Sequence, residues 1–268
     1  MEKYIDMIFK IFNLKNKVSV VTGGNSHLGT AMSEILLQAE SKVYILGKSQ
    51  KKLEISKKEL ESKGYENFEI MKVDISKLSS IRKSFENIKK ESKKIDVLIN
   101  NAYFGANGNF ENKTEKQWNE GINGTINSVF RTTKAILPIM RKQKSGSIIN
   151  IASMYGSISP DPSIYEKSGY DSPPEYGSGK AAIIQFTKYI AIHNAKLGIR
   201  VNSISPGAFP DKEVQKNKKF INNLKKKIPM GRIGKPDELK GVIIFLASNA
   251  SSYVTGENIH IDGGWTAW

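Results

Sequence analysis

Residues 18–29 read Val18-Ser19-Val20-Val21-Thr22-Gly23-Gly24-Asn25-Ser26-His27-Leu28-Gly29. The stretch opens with a β-branched apolar run, passes through a turn of small residues, and leads into a segment of helical periodicity. A strand that is apolar at nearly every position suits a parallel sheet covered on both faces. Small residues at its end let the chain bend sharply and bring backbone N–H groups to an anion, which the following helix N-terminus also favours. A glycine-rich turn alone is a weak sign. Its weight comes from what surrounds it.

Outward from this turn the same alternation repeats. Segments 42–46, 68–73, 97–100, 147–151, 200–205 and 258–261 read as further strands, several of them almost wholly apolar. Helical patterns are expected over about 27–39, 51–63, 79–93, 116–141, 176–197 and 236–247. Such alternation indicates βαβ units, hence an α/β fold with a doubly wound parallel sheet of Rossmann type, three layers (αβα) in a single domain. Residues 1–16 read as an extension in which Tyr4, Ile5, Ile8, Phe9 and Phe12 fall at helical spacing, with the domain proper over 17–268. Two segments break the rhythm. Residues 154–175, rich in Pro, Ser, Gly and Tyr, are expected to be mostly irregular, and residues 207–228 begin GAFPDKE before a Lys-rich stretch. Ligands of open α/β sheets lie beyond the carboxyl ends of the strands, so both are candidate walls of a substrate pocket.

The chain has 268 residues, 39% hydrophobic and 25% charged, with no Cys. That excludes a disulfide framework, thiolate metal sites and a Cys nucleophile. No apolar run approaches a membrane span, and the charged N-terminus lacks the apolar core of a signal peptide, so a cytoplasmic location without membrane association is expected. Lys and Arg number 41 against 26 Asp and Glu, a net charge of +15. The positive residues are mostly Lys on alternating Lys/Glu/Ser helix faces, without interleaved aromatics, and no nucleic-acid partner is expected. His193 and His260 lack metal-ligand spacing, and no metal is implied.

Further along, Ile148-Ile149-Asn150-Ile151-Ala152-Ser153 is followed by Tyr176-Gly177-Ser178-Gly179-Lys180, then by Asn202-Ser203-Ile204-Ser205-Pro206-Gly207 and Asp262-Gly263-Gly264. Taken in order with the first turn, these resemble the short-chain dehydrogenase/reductase family over about residues 17–268. In the turn, Thr22, Gly23 and Gly29 match, whereas His27 stands where the family's middle Gly normally lies. The resemblance implies a nicotinamide cofactor held by Thr22, Gly23, Asn25, His27, Leu28 and Gly29, with Asp74 at the adenine. Asn101 and Ala102 would lie beside the adenine ribose and Pro206 and Gly207 beside the nicotinamide. Asp74 has a plainer alternative as a helix cap. After the second strand, Gly47 supplies no acid for a ribose 2′-hydroxyl, and Lys48 follows with Ser49. This favours NADP(H), with NAD possible.

Tyr176 and Lys180, four residues apart, share one helix face. A phenol of ordinary pKa about 10 is a poor base at neutral pH, and a neighbouring ammonium is expected to lower that value. The resemblance makes Tyr176 the acid/base, Lys180 its partner and a ribose ligand, and Ser153 the residue that orients the substrate oxygen. Tyr165 and Tyr170 also follow Ser153, but neither has a Lys four residues on. Alignment through Trp118 and Phe130 places Thr125 where the family keeps a catalytic Asn beside a proton-relay water, with Asn123 and Asn127 displaced around the helix. The gap of 23 residues from Ser153 to Tyr176 exceeds the family's usual spacing. The extra material must loop out, and it is expected to shape the substrate pocket.

The implied activity is interconversion of a secondary alcohol and a ketone by hydride transfer. Tyr253-Val254-Thr255-Gly256 and the Asp262–Trp265 tail look most like bacterial members of the gluconate 5-dehydrogenase type, which implies a small-molecule substrate such as a sugar acid or polyol. Lys212, Lys216 and Lys218 are candidates for an anion-binding wall. The alternatives are a reductase or epimerase of nucleotide-linked or amino sugars in surface-polysaccharide synthesis, and a nucleotide sensor without turnover. Family resemblance also implies a homotetramer or homodimer, built on the helices that carry Ile122, Ile126, Val129, Phe130, Ile184 and Phe186.

Overall fold

The computed structural model describes residues 10–166 and 168–268. Of the expected N-terminal helix only residues 10–12 fall within this range and are helical; Tyr4, Ile5, Ile8 and Phe9 lie outside the described residues.

Seven strands form one parallel sheet in the order β3-β2-β1-β4-β5-β6-β7: β1 (Val18–Thr22), β2 (Lys42–Gly47), β3 (Phe68–Lys72), β4 (Val97–Asn100), β5 (Gly146–Ile151), β6 (Ile199–Pro206) and β7 (Asn258–Ile261). Adjacent residues of one strand serve opposite layers, as the pleat requires. Val21 and Ile45 join the layer built by α1 (His27–Gln38), α2 (Gln50–Ser62) and α9 (Lys240–Ala247), through Met32, Leu36, Leu53, Leu60, Ile243 and Leu246. Val20 and Tyr44 face α3 (Leu78–Ser92) and α5 (Ile126–Gln143), through Ile81, Phe85, Ile88, Ile136 and Met140. The expected doubly wound single domain is what forms. Strand order reverses between β1 and β4, and the crevice this opens at their carboxyl ends is where such sheets bind ligands.

The helix expected over 116–141 is two helices, α4 (Glu115–Gly124) and α5, broken at Thr125, which has φ −96° and ψ −98°. The cause is tertiary and local together. Gly124 packs against the Phe104 carbonyl, and the Thr125 hydroxyl turns back to the Gly121 carbonyl at 2.8 Å. The stretch 154–175 is more ordered than its composition suggests. It contains the one-turn helix α6 (Pro162–Tyr165), capped by Asp161, and its last residues already belong to α7 (Pro174–Asn194). Ile164, Tyr165 and Tyr170 pack with Phe220, Ile221 and Leu224 of α8 (Lys218–Lys227) and with Trp265, so the two irregular segments share one small core.

Candidate active site

The turn after β1 closes through two glycines. Gly23 has φ +62°, a conformation that L side chains rarely adopt, and a Cβ at Gly29 would collide with the Gly23 carbonyl. His27, by contrast, is exposed at the start of α1, so the side chain in the family's middle-Gly position points away from the tight part of the turn. Ser26 caps α1 by accepting from Gly29 N at 3.2 Å. The His27 and Leu28 N–H groups have no protein acceptor among the described residues, as the first turn of a helix allows. Asn101 holds the arrangement from the β4 side: its Nδ2 donates to the carbonyls of Thr22 and Gly23 at 3.2 and 2.9 Å. The Thr22 hydroxyl accepts from the N–H groups of Asn101 and Ala102. A turn this close, ending in free N–H donors, fits the pyrophosphate of a dinucleotide.

At the end of β2 the missing acid has a structural reason. A Cβ on Gly47 would lie 2.6 Å from Asn25 Oδ1, because the Asn25 side chain occupies that space. Lys48 is exposed beside it, and Ser49 caps α2. Asp74 forms a turn with Ser76, accepting from its N–H at 3.0 Å and its hydroxyl at 2.7 Å, and does not cap α3. Burial pushes the Asp74 carboxyl up, but the Ser76 donors and the charges of Lys48 and Lys77 outweigh it and leave the pKa below the ordinary value. On the far side, Pro206 ends β6, and Gly207 N donates to Ile261 O at 2.9 Å.

Ser153, Tyr176 and Lys180 meet beyond β5. Lys180 is 5% exposed; its Nζ donates to Ile151 O at 2.6 Å and stands 5.5 Å from the Tyr176 ring centre. Burial pulls the ammonium down to about 8. The Ser153 hydroxyl oxygen accepts from Tyr155 N at 3.2 Å, which leaves its proton free to be donated. For Tyr176 the expected lowering is not found. Burial raises its pKa above the ordinary phenol value, Ser153 draws it back in part, and Tyr165 adds to the rise. The protein groups alone therefore keep Tyr176 as a neutral phenol, a proton donor at neutral pH.

Thr125 is not placed to act through its side chain. It is buried against Gly179, between Tyr176 and Lys180 in sequence, and its hydroxyl is engaged by Gly121 and Ile122 carbonyls. What Thr125 contributes is the helix break itself. Three further contacts surround the site, and of their residues Lys113, Glu175 and Tyr155 were not singled out in the sequence. Tyr103 sits edge-on to Tyr176, centroids 5.3 Å apart, its own pKa pushed up to about 12 by burial, Tyr176 and Glu175. Lys113 and Glu175 form a buried ion pair at 2.9 Å. The hydroxyls of Tyr155 and Tyr165 hydrogen-bond at 2.8 Å.

The looped-out segment walls a cavity of about 940 Å³, lined among others by Phe110, Tyr155, Ile158, Tyr165 and Pro173. The cavity reaches Gly177 and Ser178 on α7, next to Tyr176, but Ser153, Tyr176 and Lys180 do not line it. Among the described residues its charged lining residues are Glu111, Glu166 and Asp171. The anion-binding wall expected from Lys212, Lys216 and Lys218 does not form. All three are exposed, none lines the cavity, and Lys216 pairs with Glu213 at 2.7 Å. Among the described residues no cluster of His, Asp and Glu is arranged to hold a metal, and no helix is long and apolar enough to cross a membrane.

The same sequence family and fold recur in known proteins. The sequence profile adh_short_C2, described as enoyl-(acyl carrier protein) reductase, matches residues 23–266. The 3-oxoacyl-(acyl-carrier-protein) reductase FabG of Thermotoga maritima is 35% identical over 258 residues, 94% of this chain and 98% of its own length. A short-chain dehydrogenase of Leptospira borgpetersenii, solved with bound NAD+, is 34% identical with a TM-score of 0.83, covering 95% of this chain and 94% of that one. A gluconate 5-dehydrogenase of Burkholderia cenocepacia, solved with NADP and tartrate, is 25% identical with a TM-score of 0.87 over 97% of this chain and 99% of that one. The family match spans residues 23–266 and the fold is shared from end to end, and the chain is an oxidoreductase of the short-chain dehydrogenase/reductase family.

Proposed function

We propose that the protein interconverts a secondary alcohol and a ketone with NADP(H), acting on a neutral polyhydroxylated compound. The observation that carries the chemistry is the meeting of Ser153, Tyr176 and Lys180 beside a turn fitted to a dinucleotide. The nicotinamide, when bound, supplies or accepts the hydride. In reduction the Tyr176 hydroxyl gives its proton to the carbonyl oxygen while Ser153 donates a hydrogen bond to the same atom. Lys180, with two of its three N–H groups not bonded to protein among the described residues, holds the ribose and keeps positive charge near the phenol. His27 and Leu28 N–H groups cradle the pyrophosphate, and exposed Lys48 is placed for a 2′-phosphate. NADP in the Burkholderia neighbour supports this preference, and NAD+ in the Leptospira neighbour keeps NAD as the alternative.

Among the described residues, tyrosines, serines and carboxylates face the cavity and suit hydroxyl donors better than a carboxylate substrate, which supports a polyol over a sugar acid. A second reading, reduction of a 3-oxoacyl thioester, is favoured by the names of the sequence relatives. Self-association through α5 and α7 is supported by Phe130, Tyr189 and Ile192, which are 44%, 56% and 72% exposed.

The test is a fluorescence titration with NADPH and NADH, followed by NADPH oxidation at 340 nm with D-fructose, 5-keto-D-gluconate and acetoacetyl-CoA. Turnover of the neutral ketose above the other two, lost in Tyr176→Phe with NADPH binding retained, is the expected result. Faster turnover of the thioester selects the second reading. Failure of both nucleotides to bind refutes the oxidoreductase chemistry.

A further inference from the structure

Glu175 immediately precedes Tyr176 in the first turn of α7 and is fully buried. Its partner Lys113 ends the loop that follows β4, and the side chains of the pair are 3% and 0% exposed. Lys113 Nζ donates to Glu175 Oε1 at 2.9 Å, to Ala106 O at 2.9 Å and to Asn107 O at 3.2 Å. All three ammonium hydrogens are thereby engaged. One charge thus gathers the loop onto itself and fastens it to α7. Gly121 of α4 makes room, since a Cβ there would collide with Glu175 Cγ. The start of the same loop is fastened one residue further on, where Tyr103 rests edge-on against Tyr176 at 5.3 Å. The loop is therefore held at both ends by consecutive residues of α7, the second of them the proton donor.

Stability alone does not account for this pair. Glu175 Oε2 is buried without a hydrogen-bond partner. A buried ion pair with an unmet acceptor returns little against well-packed apolar residues. What it does supply is a single geometry, because a buried carboxylate cannot move away from the cation it is paired with.

We infer that Lys113 and Glu175 are positioning residues for Tyr176: their ion pair locks the 103–113 loop against the first turn of α7 and so aims the phenol at the substrate oxygen. The inference rests on the reading of Tyr176 as proton donor. Its test uses the full chain as Lys113→Met, Glu175→Gln and the double variant Lys113→Met/Glu175→Gln, which removes both buried charges together. Three quantities are measured: NADPH Kd, steady-state kcat and KM on the best of the three ketone probes, and amide hydrogen exchange.

Each single variant is expected to lose at least tenfold in kcat while Kd and KM stay within twofold. The double variant is expected to fall no further than the worse single one, since the pair acts as one device. Exchange should accelerate at least tenfold in 103–113 and 175–177 and stay unchanged in the sheet. A kcat within twofold of wild type in the variants that fold overturns the inference. So does a loss in which Kd and KM rise with exchange across the whole sheet. Should the wild-type protein turn over none of the probes, the proposed function fails instead, and unchanged exchange at 103–113 in the double variant overturns the lock independently.

Discussion

Replacing Lys180 by Met should make the protein more stable at neutral pH while removing a residue placed for its chemistry. The ammonium is 5% exposed, its one protein partner is the Ile151 carbonyl, and no carboxylate lies within ion-pair distance among the described residues. Burial takes its pKa from 10.5 to about 8. At about 1.4 kcal/mol per unit, keeping it charged in the fold at pH 7 costs about 3 kcal/mol relative to the unfolded chain. Met fills nearly the same volume without charge and leaves the Ile151 carbonyl short of one donor, a loss of about 1–1.5 kcal/mol. The difference predicts Lys180→Met to be more stable by about 2 kcal/mol at pH 7. The pH dependence is the sharper signature. Between pH 8 and 10.5 the unfolded chain keeps this proton and the folded chain does not, so wild-type stability climbs through that window. The variant's advantage is therefore complete below pH 8, shrinks above it, and reverses at about pH 9.5. Urea unfolding of both proteins without cofactor, at intervals from pH 7 to 10.5, measures it. A variant less stable than wild type at pH 7, or a gap that does not change with pH, refutes the burial argument.

Lys48→Ala should weaken NADPH binding by about fivefold, the scale of one exposed ion pair, and leave NADH binding unchanged in parallel titrations. Equal losses for both nucleotides would remove Lys48 as the 2′-phosphate contact. Gly29→Ala forces a Cβ onto the Gly23 carbonyl; an overpacking cost of about 1–3 kcal/mol should appear as lower urea resistance together with loss of NADPH binding. Unaltered NADPH affinity in that variant would separate the turn from the nucleotide. Reductive kcat/KM should be level through neutral pH and fall as pH rises through about 8, where Lys180 loses its charge, while Tyr176, raised by burial, still holds its proton. Activity that rises through pH 8 would mean that a phenolate does the work.

The sheet was legible because parallel strands covered on both faces must be apolar at nearly every position, and the runs at Val18–Thr22 and Val97–Asn100 start and stop where the ladders do. Edges were less so. Gly146, Ile199 and Pro206 join the β5–β6 and β6–β7 pairing although they flank the apolar runs. The break at Thr125 left no mark on the helical periodicity, since Phe104, which presses on Gly124, comes from another part of the chain. Composition marked 154–175 as loop, yet Tyr165 and Tyr170 stack on Phe220 at 5.6 and 4.9 Å, a complement that exists only once both segments are folded. In the candidate site, Tyr176 and Lys180 stood out as a pair at helical spacing, and their assignment, with that of Ser153, came from the family resemblance of the surrounding motifs. Lys113 and Glu175, 62 positions apart, carry no local pattern. The sign of the Tyr176 shift was missed for a related reason: sequence reveals a neighbouring charge but not how much water surrounds both groups.

Burial acts on this pair in opposite senses, and that difference bears on direction. A desolvated phenol is held neutral, whereas a desolvated ammonium is pressed to give up its proton. Left to ordinary values, Tyr would ionise slightly before Lys. In this fold the order is reversed, with Tyr176 raised and Lys180 lowered to about 8. A neutral phenol beside a Ser hydroxyl that still has its proton to offer is a pair of donors, ready for a carbonyl oxygen that gains charge as hydride arrives. The reverse reaction needs a phenolate at the same place, and the protein groups alone do not provide one. Positive charge delivered from outside the chain, such as that of an oxidised nicotinamide, would favour one. Without cofactor, the protein's own groups thus leave Tyr176 a proton donor, the role that reduction of a carbonyl asks of it.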